Sequence, residues 1–551
     1  MHAHAHAVRR VAATLLAALT IAACSGGDTT GDQSGAGAGT STPAPAATDG
    51  LTPQAPAPGA PCDTEGAQTG MEGGTLECTS TNGTLTWQVM TDGGEGAGEG
   101  SGEGNGEGTS GGDPSMIVVG QPCATDGAFG FRDGGLTICD GGTGRYAMPD
   151  DLPPAPAGGY TARPDWYPTL AQMFGASVDE CSSEPVQFTH PIVPTDQLAP
   201  SMPHGMMIGD HVTPIDHMYI GIATLLADPA TLTDDDYLPV TAPAAGTIVE
   251  AGSLGSPTSH RVTISHGCGI VSVYMVVNRL TGPLAEYAER IDAGETVMLD
   301  IPIAAGDEFG RQRDNPLDFN IFTADTWLPG LANPYSYAFG EAWKPYTADP
   351  FPYFTPEVGG PLEASLQRLT EPRWGPIDYD IAGTASGSWF LDGTIGYSGG
   401  DLETYRTATS MVPGGGITGR TSYAYGHLAL APHPVDTARW IFSIGAWPTL
   451  DGAPRQLLID LAVDQPTPAD LTAASGPVVY RLTDIQVVQP PGYTRPPGPS
   501  PDGIGYTLAP GSTVGWVVVE VRGDQSLAIE IVADPAAQPT GFTGPGTTYH
   551  R

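Results

Sequence analysis

Apolar positions along this chain come in short alternating runs, not in long helical stripes. From about residue 160 onward the runs 247–249, 262–264, 270–277, 440–444, 516–521 and 527–532 alternate apolar with polar positions. A period of two, punctuated by Gly, Pro and Asp, is the pattern of half-buried strands joined by turns, as in sandwiches and small barrels. Helical periodicity shows only in patches, at 284–291 and 362–369. The pattern therefore predicts a mainly β protein, with an antiparallel sheet domain over 166–345, a Pro-rich connector over 346–368, and a C-terminal β-sandwich over 369–551.

The first 165 residues have a different texture. Residues 1–23 carry Arg9 and Arg10, an apolar run from 11 to 21, and small residues before Cys24. Such a segment reads as a secretory signal, with a core too short to span a bilayer. The run Ile21-Ala22-Ala23-Cys24 resembles the bacterial lipobox, which implies that the Cys24 thiol is acylated and becomes the mature N-terminus. That places the protein on the extracytoplasmic face of a bacterial membrane, held there through Cys24. Residues 24–59 are mostly Gly, Ala, Thr, Pro and Ser, too poor in large apolar groups to build a core, and read as a disordered tether. The stretch 92–114 alternates Gly with Glu and reads as an extended linker. A shorter linker is expected over 151–165.

Setting Cys24 aside leaves six cysteines, an even number for an exported chain. Cys62 and Cys78 are spaced like Cys123 and Cys139, and both pairs sit in similar text, Pro61-Cys62-Asp63-Thr64 and Pro122-Cys123-Ala124-Thr125. These repeats read as two disulfide-closed hairpin modules, 60–91 and 115–150, each too small to fold well without its bridge. By elimination Cys181 pairs with Cys268.

Four pieces of text between 211 and 337 resemble, in order, the LytM/lysostaphin-type zinc endopeptidases that cut peptide cross-links of bacterial cell walls. They are Pro243-Ala244-Ala245-Gly246-Thr247-Ile248-Val249 (A-x-x-x-G-x-V), Ile264-Ser265-His266-Gly267-Cys268-Gly269 (I-x-H-G-x-G), Ala305-Gly306-Asp307-Glu308-Phe309-Gly310 (A-G-x-x-I-G), and Leu317-Asp318-Phe319-Asn320-Ile321 (H-L-H-F-E) followed by Asn333-Pro334. The resemblance covers about a quarter of the chain and implies that family's antiparallel β domain. In the family a histidine, an aspartate four residues later and the second histidine of H-x-H bind zinc, and other histidines assist attack by water.

Here the chemistry departs. Asp216 stands in the aspartate's place, but His211 is five residues upstream of it. The Y-x-H segment reads Tyr274-Met275-Val276, and the H-x-H positions fall on Pro316 and Asp318. An isopropyl group and a pyrrolidine ring neither bind zinc nor move protons, so the resemblance is to a degenerate peptidase scaffold. Two chemistries remain for the residues that are present. His211, Asp216, His217 and Asp318 could gather at one end of the sheet and hold zinc, with His204 and His266 as spare candidates. Alternatively Asp216 and His217 orient a loop through hydrogen bonds while His266 packs in a hairpin. No H-E-x-x-H motif and no clustered C-x-x-C pair is present.

Charge narrows the partners. Lys and Arg number 21 against 61 Asp and Glu, a net of −40, which argues against a nucleic-acid binder that needs cations to release counterions. Loss of residues 1–23 would make the chain two charges more negative. The single lysine, Lys344, is followed by proline, so no phosphate-binding G-x-x-x-x-G-K-[ST] loop exists. Frequent Trp and Tyr beyond residue 369 suit core packing on strands. Two functions are therefore expected: first, an anchored envelope lipoprotein with a non-catalytic domain that binds wall peptide, glycan or a partner protein in the groove around His211, Asp216, His217 and Asp318; alternatively, a cell-wall zinc metallopeptidase with a rearranged site.

Overall fold

The computed structural model describes residues 117–551 apart from 133, 157, 182–184, 411–422, 451, 489–504 and 524, together with the backbone of strands at 68–71, 74–81 and 84–89. The strands at 68–89 belong to one compact unit and residues 117–551 to another. Cys24 and the Cys62–Cys78 pairing lie outside the described residues. No described helix is long and apolar enough to cross a membrane.

The internal repeat is visible in the backbone. Strands β1 (Gln68–Met71), β2 (Gly74–Thr81) and β3 (Thr84–Val89) form a three-stranded antiparallel sheet. Strands β4 (Phe129–Arg132), β5 (Gly135–Asp140) and β6 (Thr143–Tyr146) form another, and β4 and β5 begin 61 residues after β1 and β2. Cys123 and Cys139 are bridged as the spacing predicts. Leu136, Ile138 and Tyr146 of the second sheet share one core with Phe174, Val271, Val273 and Phe322. Burial against a larger domain thus supplements the bridge that so small a sheet needs.

The central domain is built from β7 (Leu198–Met202), β8 (Met218–Ile222), β9 (Leu238–Thr241), β10 (Gly246–Ser256), β11 (Ser259–Gly267), β12 (Ile270–Val277), β13 (Arg279–Leu280), β14 (Thr296–Ile303), β15 (Glu308–Gln312) and β16 (Leu317–Thr323). Seven of them form an antiparallel sheet in the order β14-β10-β11-β12-β16-β8-β7, and β13-β15-β9 form a small second sheet. One face of the large sheet, including Ile220, Tyr274, Phe319 and Ile321, packs on Val240 and Phe309 of the small one. Phe354 and Leu362, from the passage expected as a connector, join this core, where the helix Pro356–Ser365 packs beside β7. The β11–β12 turn, Gly267-Cys268-Gly269, has three positive φ angles in succession. A side chain at Gly267 would collide with the Glu180 carbonyl oxygen. The Cys181–Cys268 bridge fastens this turn to the preceding segment, in agreement with the pairing reached by elimination.

The C-terminal strands differ from the expected β-sandwich. β17 (Gly387–Leu391), β18 (His427–Pro432), β19 (Trp440–Ile444), β20 (Arg455–Asp460), β21 (Val478–Val488), β22 (Thr507–Gly523), β23 (Ser526–Val532) and β24 (Thr547–His550) pair in sequence order. β24 pairs with both β23 and β17, which closes one barrel in place of two facing sheets. The cause is geometric. Register shifts between β21 and β22, at 482–483 and 483–485, mark bulges that bend the long ribbon, and a coiled sheet that meets its own first strand leaves no edge to cover. Trp389, Phe442, Trp447, Tyr480 and Val519 fill the interior. The tryptophans at 389, on β17, and 447, just after β19, are core residues, the fate expected for Trp in strand-rich text.

A buried carboxylate–imidazole cluster as the candidate functional site

The candidate residues come from three places. Ile208 and His211 close a tight turn by bonding to each other through both backbone groups, at 2.9 and 3.0 Å, which sets His211 before the sheet. Asp216 and His217 lead directly into β8. His217 and Tyr219 are two residues apart and share a face, while Met218 and Ile220 enter the opposite core. On β16 the same alternation turns Leu317 and Phe319 to that core and Asp318 away from it, opposite Tyr219. The pleat therefore brings His217 and Asp318 together.

The imidazole of His217 lies between two carboxylates. Its Nδ1 donates to Asp216 Oδ1 at 3.1 Å, and its Nε2 is 3.5 Å from Asp318 Oδ2. The His211 ring meets the His217 ring edge to face, with centroids 5.4 Å apart. Asp216 Oδ2 accepts from the Trp343 indole at 3.0 Å, and its backbone carbonyl accepts from Asn320 Nδ2 at 2.9 Å. The one lysine of the chain stands nearby, its Nζ 3.1 Å from Glu341 Oε2 and 4.4 Å from the centre of the Tyr397 ring. Structure thus adds Trp343, Lys344, Glu341, Tyr397 and Asn320 to the residues recognisable in sequence. The only signal for Lys344 was its uniqueness.

Burial governs the charges. Asp216, His217 and Asp318 are 4, 3 and 6% exposed. Burial opposes ionisation of Asp216, but the His217 hydrogen bond and the Lys344 ammonium outweigh it and hold the carboxyl well below the usual carboxylate range. Burial also opposes a charged His217, yet Asp318 and then Asp216 raise its pKa. For Asp318 burial outweighs the attraction of His217, and with the repulsion of Asp216 it pushes the carboxyl up to about 7. Burial lowers His211 to about 3 and His204 to about 4.

Among the described residues Asp216, His217 and Asp318 are covered and do not line an open groove. On their side of the sheet the second hairpin and residues 166–178 and 335–346 cover β12 and β16, while Ala429, Ile441 and Leu458 of the barrel wall pack on Met206, Ile215 and Tyr219. The reason is that this sheet face carries Val271, Val273, Tyr219 and Phe322, apolar positions that an open groove would leave in water. The spare candidates are structural. His204 Nδ1 meets the Trp374 carbonyl at 3.0 Å, and His266 bridges the Ala245 carbonyl and Ser272 Oγ at 3.0 and 2.8 Å.

The donor set does not fit the zinc that the resemblance implies. The two nitrogens of His217 lie on opposite edges of one ring and face different carboxylates, so Asp216 and Asp318 cannot both join that ring around one ion. Among the described residues no group of three or more His, Cys, Asp or Glu side chains is arranged to hold a metal. Val276 and Pro316, which the resemblance aligns with the family's proton-moving histidines, are buried. What remains is a polar cluster able to hold a proton between His217 and Asp318, with the Tyr219 ring packed edge to face on the imidazole at 5.3 Å. No protein-family model matches this chain, and no curated protein matches it in sequence, so the resemblance rests on the quoted residues alone.

Proposed function

We propose that this protein is an exported bacterial lipoprotein, anchored through Cys24, whose LytM-like domain binds a cell-envelope ligand without cutting it. Wall peptide, glycan and a partner protein are the ligand classes. The observation that carries the non-catalytic half is the closure of the Asp216–His217–Asp318 cluster: His217 is hydrogen-bonded to Asp216 and 3.5 Å from Asp318, and all three lie under packed side chains, where a scissile bond has no access. Because the family's groove face is filled, the ligand meets an outer surface. The tether over 24–59 and the acidic linker over 92–114 supply reach from the membrane. A second reading, a zinc peptidase with a rearranged site, draws on His211 Nδ1 and His217 Nε2, buried ring nitrogens without a hydrogen-bond partner.

The test is fractionation and wall sedimentation of the whole chain. The proposal expects the native chain in the membrane fraction, Cys24→Ser in the soluble one, and equal sedimentation with purified walls in chelator and in added zinc. A soluble native chain would remove the anchor, and wall binding abolished by chelator would favour the second reading.

A further inference from the structure

An open cleft of about 440 Å³ lies away from the buried cluster, where the second hairpin meets the segment that follows it. That volume is in the range of small-molecule sites, about 300–1,000 Å³. Its walls include Phe129 of β4, Tyr160, Trp166 and Pro153, with Asp165 at the rim. The Tyr160 and Trp166 rings meet at 83° with centroids 5.8 Å apart, so they form a corner and not a stack. Trp327 fixes one wall by donating its indole N–H to the Tyr160 carbonyl at 3.1 Å, and Trp166 is packed edge to face on Tyr167 at 5.6 Å. The corner is therefore held in place before any ligand arrives.

Asp165 is exposed, and among the described residues no cation lies within ion-pair distance of it. Its neighbour Arg163 is engaged elsewhere, donating to the Tyr167 carbonyl at 2.6 Å and to the Pro164 carbonyl at 3.3 Å. Aromatic faces carry negative potential, and a carboxylate beside them adds to it. On a chain of net charge −40 the field around the cleft also draws cations. An uncharged sugar would use the rings but gain nothing from this field.

We propose that this cleft is a binding site for a quaternary ammonium group, seated against Tyr160, Trp166 and Phe129 with Asp165 as its counter-ion. The proposal rests on the envelope-binding reading only in taking the protein for a ligand binder. It names a site at the junction of the second hairpin with residues 153–166, outside the LytM-like text.

Isothermal titration of the whole chain with choline chloride tests it, beside 3,3-dimethylbutan-1-ol, which has the same shape without the charge. Matched sodium chloride is the blank, and phosphatidylcholine vesicles form a second arm that tells a lipid-borne head from a free one. The expected result is saturable one-to-one binding of choline, at least about tenfold tighter than the neutral isostere. Asp165→Asn, at an exposed position, should weaken it about fivefold, and Tyr160→Leu should remove most of it. Vesicle binding lost in Tyr160→Leu would support a lipid-borne source for the same site. Absence of saturable binding in both arms, equal binding of the isostere, or binding unchanged in both variants would overturn the proposal. Wall sedimentation that persists through such a failure would leave the envelope-binding reading standing.

Discussion

Asp318→Asn should make the protein more stable in alkali and leave it unchanged in acid. Burial holds the Asp318 carboxyl at about 7, so the folded chain keeps a proton that the unfolded chain releases above about pH 4. A raised carboxyl pKa costs stability as pH climbs from the unfolded value, and the cost is complete above the folded one. The gap between about 7 and the ordinary aspartate value is worth about 4 kcal/mol. Asparagine removes this cost, which is already net of the attraction of His217, 3.5 Å away, so a gain of up to about 4 kcal/mol is expected at pH 8. For a domain of this size that is up to about 8–16 °C in Tm. Differential scanning calorimetry at pH 4 and pH 8 reads it directly. A variant less stable than the native chain at pH 8, or one that gains equally at both pH values, would refute the burial argument.

Other outcomes follow from the same contacts. Asp216→Asn should cost about 3 kcal/mol at pH 7, because it takes from the buried His217 the carboxylate it is hydrogen-bonded to and from Lys344 a nearby negative charge. Since the Asp216 pKa is lowered on folding, its contribution is present above the ordinary carboxylate value and fades as pH falls through the folded one, so melting curves of native and variant chains should converge in acid. Replacing Cys181 and Cys268 together with serine opens a bridge spanning 87 residues and should cost about 2–4 kcal/mol in urea unfolding followed by tryptophan fluorescence. Arg551→Ala should lower the barrel's melting transition by about 3 kcal/mol, since the guanidinium donates to the Ser386, Ile381 and Thr384 carbonyls and lies 4.2 Å from the centre of the Trp389 ring.

Local pattern carried much of this architecture. The runs at 270–277 and 440–444 are β12 and β19 to the residue, because a short run of β-branched and aromatic residues between turn signals marks a strand without knowledge of its partners. The hairpin repeat and the Cys123–Cys139 and Cys181–Cys268 bridges were likewise legible from spacing and parity. Closure of the barrel was not. It depends on β24 returning to β17 across some 160 residues of chain, and the same short strands would serve a sandwich. The candidate site was legible only in part. His217 and Asp318 follow from the pleat once β8 and β16 are neighbours, but Trp343 and Lys344 reach Asp216 and Glu341 from a loop without periodicity. The roof over the cluster comes from contacts such as Ile138 near Val271 and Leu458 near Tyr219, which join segments that share no local pattern.

The central claim, a wall-binding domain that does not cut, is tested most directly by incubating the whole chain with labelled peptidoglycan, with and without EDTA, and measuring bound protein and released soluble fragments together. The expected result is bound protein, no release above the blank, and no effect of EDTA on either. Fragment release that EDTA abolishes would contradict it.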